Sequence, residues 1–286
     1  MRFPTVPKTV VVTGCSTGIG EACARMLRDR GWTVYPTARK PEDLEALEAA
    51  GFTAIALDLS DSASVDAAAT RIKDLCKGQL GALVNNAGFG QPGAMEDLSR
   101  DALRYQFEVN VFGMQELTNH FIPAFRQQGC GRVVNVSSVV GRISLPFLGA
   151  YSASKFAMEA ISDAMRVELI DSGVAVSLIE PGPIVTAFRT NAAEKTDEAI
   201  DPSASTFGDL YIKEIKRRRN SQKKVDFINK PPEAVGAKVI HALESASPHR
   251  RYGVTPVAPY VTFMRRFAPY WFVDAIFARD VRKTRG

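Results

Sequence analysis

Short apolar runs of strand length alternate along this chain with longer segments of helical periodicity, and few folds accept that alternation. Thr9–Val12, Thr33–Pro36, Thr53–Leu57, Ala82–Val84, Arg132–Val136 and Val174–Ile179 are rich in Val and Ile and bounded by Gly, Asn or Asp. Near-continuous apolar runs of this kind are what strands buried on both faces require. Between them Glu21–Arg30, Asp43–Ala50, Ser64–Lys77, Asp101–Arg126 and Ala153–Asp171 repeat their apolar residues at a helical period. Six strands joined by helical crossovers predict an α/β fold with a doubly wound parallel sheet, whose ligands bind beyond the carboxyl ends of the strands.

Composition decides between one domain and two. At about 150 residues per domain, 286 residues suggest two, yet α/β sheets also reach this size as one unit. No repeat, low-complexity segment or Gly/Ser linker interrupts the chain, so a single domain over residues 1–286 is expected. Its core runs from about 8 to 190, a polar segment from 187 to 230, and a C-terminal helix at Pro231–Ser245, a last strand and an aromatic tail follow. A 45% apolar content with a net charge of +5 excludes disorder. Cys15, Cys23, Cys76 and Cys130 lie far apart, which argues against a disulfide framework or a structural zinc and for a reducing, cytoplasmic setting. The N-terminus has no signal-peptide pattern. The most apolar stretch, Val254–Phe277, is broken by Arg265, Arg266 and three prolines, so no membrane span is expected.

Two clusters carry chemistry. Thr13-Gly14-Cys15-Ser16-Thr17-Gly18-Ile19-Gly20 follows the first strand and opens the first helix. Glycines there allow a tight turn and let backbone approach a pyrophosphate facing the helix N-terminus, the Rossmann-type arrangement. After the second strand stand Arg39 and Lys40, with no acid before Glu42; a base at this point suits the 2′-phosphate of NADP(H), although a solvated surface charge is the alternative. The second cluster is Tyr151-Ser152-Ala153-Ser154-Lys155, whose four-residue spacing puts phenol and ammonium on one helical face. A cation within reach stabilises a phenolate and makes a tyrosine usable as acid or base. Ser137 and Ser138 end the fifth strand at the same edge of the sheet.

With Asn85-Asn86-Ala87-Gly88, Asn110 and Pro181-Gly182 added in order, the sequence resembles the short-chain dehydrogenase/reductase family over about residues 8–190. Tyr35–Arg39 and Ser177–Pro183 resemble most the NADP-dependent group of 17β-hydroxysteroid dehydrogenases, photoreceptor-type retinol dehydrogenases and bacterial aldehyde reductases. The resemblance implies that Tyr151 protonates the carbonyl oxygen and Ser138 hydrogen-bonds it. Lys155 would bind the nicotinamide ribose and lower the Tyr151 pKa, and Asn110 would hold a water that refills the proton. Gly14, Ser16, Thr17, Gly18, Ile19, Gly20, Arg39, Lys40, Asp58, Leu59, Asn86, Ala87 and Gly88 would contact the adenosine half of NADP(H); Pro181, Gly182, Ile184 and Thr186 would hold the nicotinamide.

The polar segment falls where the family carries its substrate lid. Leu145, Phe147 and Phe188, with Phe89 and Met95, would line a mostly apolar pocket, or are ordinary core. No histidine stands between His120 and His241, which tells against the steroid enzymes of the group and for hydrophobic aldehydes or ketones. The expected activity is an NADPH-dependent carbonyl reductase, reversible as an alcohol dehydrogenase; the alternatives are an oxidative steroid or retinol dehydrogenase and a non-catalytic NADP-binding scaffold. The basic run Lys213–Lys224 reads as a solvated helix face, with no motif for nucleic acid. The tail mixes Tyr260, Phe263, Phe267, Tyr270, Trp271, Phe272 and Phe277 with arginines. It suits an interfacial helix at a membrane surface, packing on the lid, or contact with a partner subunit. The resemblance implies a homodimer paired through the long helices at 101–126 and 153–171, a contact that the apolar tail could block or replace.

Overall fold

Alternation along each strand sends neighbouring side chains to opposite faces. In β1 (Thr9–Val12) Val10 and Val12 enter one apolar cluster and Val11 the other. The computed structural model describes residues 2–213 and 225–285. Its seven-stranded sheet adds β2 (Thr33–Ala38), β3 (Ile55–Ala56), β4 (Ala82–Asn85), β5 (Gly131–Val136), β6 (Val174–Glu180) and β7 (Arg251–Gly253). All neighbours pair in parallel, in the order β3-β2-β1-β4-β5-β6-β7. The reversal of strand order falls between β1 and β4, whose carboxyl ends part to leave a crevice.

Helices cover both faces. One layer holds α1 (Gly18–Asp29), which carries Cys23, Ala24 and Leu27 into the first cluster. The opposite layer holds α3 (Ser62–Cys76), capped by Asp61 accepting from the Ala63 N–H, and further helices described below. α2 (Pro41–Ala49) starts on a proline suited to a first helical turn.

Two expectations from periodicity change. The run Thr53–Leu57 shrinks to Ile55–Ala56, because β3 is an edge strand that among the described residues pairs with β2 alone. The segment 101–126 is not one regular helix. It divides into α4 (Arg100–Phe107), a π-helical turn at Glu108–Phe112 and α5 (Gly113–Gln128). A π turn inserts one residue without leaving the helix, so the apolar pattern alone hides it. Asn110 sits inside this turn and is fully buried.

α6 (Gly149–Glu168) packs on β6, and a lid follows β6: α7 (Phe188–Ala199), a 3₁₀ turn at Pro202–Ala204 and a helix from 208. Of the basic run only Lys213 is described; Lys216, Arg217, Arg218, Arg219, Lys223 and Lys224 lie outside the described residues. α8 (Glu233–Glu244) packs on α1 and leads to β7, and the tail forms α9 (Val257–Phe267) and α10 (Tyr270–Arg285). Among the described residues no helix is long and apolar enough to cross a membrane, and no group of side chains could hold a metal.

Candidate active site

The glycine turn comes first because it sets the distance between β1 and α1. Gly14 has φ +70°, a left-handed conformation costly for any other residue. At Gly20 a Cβ would fall 2.1 Å from the Gly14 carbonyl oxygen and 2.6 Å from Asn86 Nδ2, so the turn closes only around a bare backbone. Asn86 donates from Nδ2 to the Thr13 and Gly14 carbonyls at 2.9 and 3.1 Å, while the Asn86 and Ala87 N–H groups both donate to Thr13 Oγ1. Asn86 therefore holds the turn in shape. Thr17 precedes α1 in extended backbone with no side-chain cap, and Ser16 and Thr17 are exposed, which leaves the first helical N–H groups facing outward for an anion. Gly18 lies against Thr186 and Ile19 is half-buried on the sheet.

Arg39 extends from the end of β2. Its Nη1 donates to the Tyr105 hydroxyl at 2.8 Å and lies 4.0 Å from Asp58 Oδ2. Asp58 accepts from the Ser60 N–H and hydroxyl, Lys40 points to Glu42, and Leu59 is buried with its backbone against Gly113. Tyr105 was not legible in the sequence: it depends on where α4 passes the tip of β2.

Ser138, Tyr151 and Lys155 converge beyond the ends of β5 and β6. Ser138 caps a 3₁₀ turn at Val139–Gly141 through the Val140 N–H. The expected lowering of the Tyr151 pKa by Lys155 is not what the site gives: Tyr151 is buried, and that burial pushes its phenol up to about 12, with the Ser138 side chain, hydrogen-bonded to it, pulling the other way. Lys155 is buried in the next turn, donates from Nζ to the Val136 carbonyl at 2.9 Å and has its pKa pulled down to about 8 by desolvation, against the opposing charge of Glu159. Asn110 accepts from the Phe89 N–H and donates to the Phe89 carbonyl and to Ser154 Oγ; Ser154 in turn donates to the Tyr151 carbonyl. Thus the π turn and α6 are pinned together at Tyr151. Ser154 was missed, although its place three residues after Tyr151 puts its hydroxyl on the same helical face. A Cβ on Gly88 would sit 2.9 Å from Asn110 Oδ1 and 3.8 Å from Lys155 Nζ, so that glycine keeps the floor beside both open.

The end of β6 forms the facing wall. Gly182 packs on Thr255, Ile184 and Val185 bridge to Lys230, and Thr186 accepts from the Phe188 N–H. Phe188 lies 5.4 Å from the Tyr151 ring, centroid to centroid, and also covers Gly90. Leu145 and Phe147 lie elsewhere. They border a cavity of about 570 Å³ between the loop before α6 and α10, and Tyr151 is not in its wall.

With this geometry in place, comparison with known proteins is direct. A family model described as short chain dehydrogenase matches residues 8–197. The chain belongs to the short-chain dehydrogenases. It is 41% identical over 271 residues to the oxidoreductase YbbO of Escherichia coli strain K12, covering 94% of this chain and 93% of that one. It is 35% identical over 285 residues to an NADPH-dependent 3-dehydrocapnine reductase of Ornithobacterium rhinotracheale, covering 96% and 97%. The crystal structure of a short-chain dehydrogenase from Streptomyces avermitilis superposes with a TM-score of 0.74 at 28% identity, covering 99% of both chains. This short-chain dehydrogenase is therefore an oxidoreductase acting on CH–OH groups, in a family that binds a nicotinamide cofactor. The residues present fit such a dinucleotide: a Cβ on Gly18 would fill the space below Thr186, and the uncapped start of α1 faces the same gap.

Proposed function

We propose that the protein is an NADPH-dependent reductase of hydrophobic aldehydes and ketones, reversible as an alcohol dehydrogenase. The observation that carries the cofactor choice is Arg39, half-exposed at the tip of β2 with its guanidinium oriented by Tyr105 and no acid before Glu42. A ribose 2′-phosphate at that position meets a preset planar cation. The relative named as an NADPH-dependent reductase supports the same reading.

When bound, the reduced nicotinamide supplies hydride to the carbonyl carbon. The protein does the rest. Ser138 donates to the carbonyl oxygen and stabilises the charge that develops on it. Tyr151 gives that oxygen its proton; its burial keeps the phenol protonated at neutral pH. Lys155, an ammonium below about pH 8, returns the proton to Tyr151 and draws on solvent beside Asn110. Phe188 closes over the Tyr151 ring, and this apolar cover favours substrates with a hydrophobic body.

Initial rates with NADPH and NADH across aliphatic, aromatic, retinoid and steroid carbonyls test the proposal. NADPH-driven turnover of hydrophobic carbonyls is expected; tight cofactor binding with no turnover anywhere would point to a scaffold instead. Arg39→Asp separates cofactor from substrate. Losing a charge-assisted contact worth about 1.5–3 kcal/mol, and adding a repulsive carboxylate, should raise the Kd for NADPH at least tenfold and leave NADH little changed. Unaltered NADPH affinity would remove the argument for the phosphate.

A further inference from the structure

α9 has two apolar stripes where packing needs one. Ala258, Val261 and Met264 are buried against the body of the protein. Roughly 130° round the helix, Tyr260, Phe263 and Phe267 point to water, each more than half exposed. Trp271, 71% exposed, follows at the start of α10 just past the break at Pro269. The Phe263 and Phe267 ring centroids lie 5.0 Å apart on α9, and those of Trp271 and Phe272 lie 5.9 Å apart on α10, so the exposed rings cluster on each helix. Scattered exposed apolar residues are ordinary, but a joined aromatic patch is the mark of an interaction site.

We propose that this patch docks the protein on an anionic lipid bilayer. Charge selects that occupant. From 257 to 286 six basic side chains stand against two acidic ones, a balance of +4 in a chain whose whole net charge is +5. Arg266, Arg279 and Arg282 are exposed around the aromatic stripe. A second copy meeting the patch across a two-fold axis would set like charge against like. The buried stripe already packs α9 on the body of the protein, at the 3₁₀ turn Val139–Gly141, which leaves the aromatic face turned outward. Aromatic rings with one polar edge settle at the depth of lipid headgroups, and arginines beside them meet the phosphates. α10 also forms one wall of the cavity bordered by Leu145 and Phe147, through Phe277 and Val281. Docking in this orientation brings that cavity to the lipid boundary.

The test uses the full chain and vesicles of phosphatidylcholine with and without roughly one-third phosphatidylglycerol. Co-sedimentation should be at least about tenfold greater on the anionic vesicles and should fall severalfold in about 0.5 M NaCl. The chain has two tryptophans and Trp32 is buried, so a blue shift of emission on binding reports Trp271. Phe263→Ser with Phe267→Ser should abolish sedimentation and shift while circular dichroism and turnover of a short soluble aldehyde stay at wild-type level. Arg279→Glu with Arg282→Glu should remove the preference for anionic lipid. The proposal is overturned if wild type ignores anionic vesicles, or if the aromatic variant sediments as well as wild type. It is equally overturned if wild type elutes as a dimer whose Trp271 emission is already blue-shifted without lipid.

Discussion

Tyr151→Phe should lower the reductive kcat by ~10²–10⁴-fold while NADPH binds with nearly wild-type affinity, because only the proton donor is lost and the ring remains. A variant rate within about threefold of wild type would mean that another group protonates the carbonyl. The pH profile adds an independent reading. Lys155 is desolvated, so its pKa falls to about 8, below the ordinary lysine value. Under that pH the ammonium can recharge Tyr151; above it the amine has no proton to give. At saturating NADPH, kcat/KM for the carbonyl should therefore decline as pH rises through about 8, while alcohol oxidation, which must remove a proton, rises through the same range. Lys155→Met should erase this limb in both directions. A limb that persists in Lys155→Met would reassign it to another group.

Much of this site was legible because backbone chemistry leaves marks in sequence. Glycine at Gly14 and Gly20 answers a positive φ and a close approach, constraints that nothing but glycine meets. Tyr151 and Lys155 announce themselves through helical spacing. What stayed hidden depends on where separate elements come to rest. Tyr105 meets Arg39 across 66 positions, and no local pattern couples them. The π turn at Glu108–Phe112 was invisible because an added residue keeps the helix going and only shifts its face. That shift has a consequence for chemistry. It turns Asn110 inward, where it bonds the Phe89 backbone and Ser154, so the segment after β4 is tied to the start of α6. Leu145, Phe147 and Phe188 illustrate another limit. All three are apolar residues near Tyr151 in sequence or topology, yet Phe188 alone covers the phenol, while the other two face α10.

Arg251→Met should lower the melting temperature by roughly 6–12 °C at neutral pH, the equivalent of about 3 kcal/mol in a chain of this size. Arg251 leaves β7 and reaches Glu159 at 2.9 Å, Asp163 at 2.8 Å and Glu180 at 3.0 Å. Glu159 and Glu180 are almost wholly buried, and burial holds the Glu159 carboxyl above its usual range, with the charge of Glu180 adding to it and Arg251 opposing it. Without the guanidinium, Glu180 keeps Arg142 and Asp163 keeps Arg166, but Glu159 loses its ion-pair partner and keeps only the charge of Lys155. A buried carboxylate stripped of its ion pair, with Lys155 still near, accounts for the low end of the cost of breaking such a pair. Its sign with pH follows. A carboxyl whose pKa is higher folded than unfolded favours the native state once protonated, so the variant should regain stability relative to wild type as pH falls toward 5. Asp163 acts in the same sense: its pKa, held near 2 chiefly by Arg251, gives wild type an advantage that vanishes in acid. Adding Glu159→Gln to Arg251→Met removes the orphan charge and should recover about half of the lost melting temperature or more. A double variant no more stable than Arg251→Met would show that the arginine acts through packing of its stem and not through the buried carboxylate.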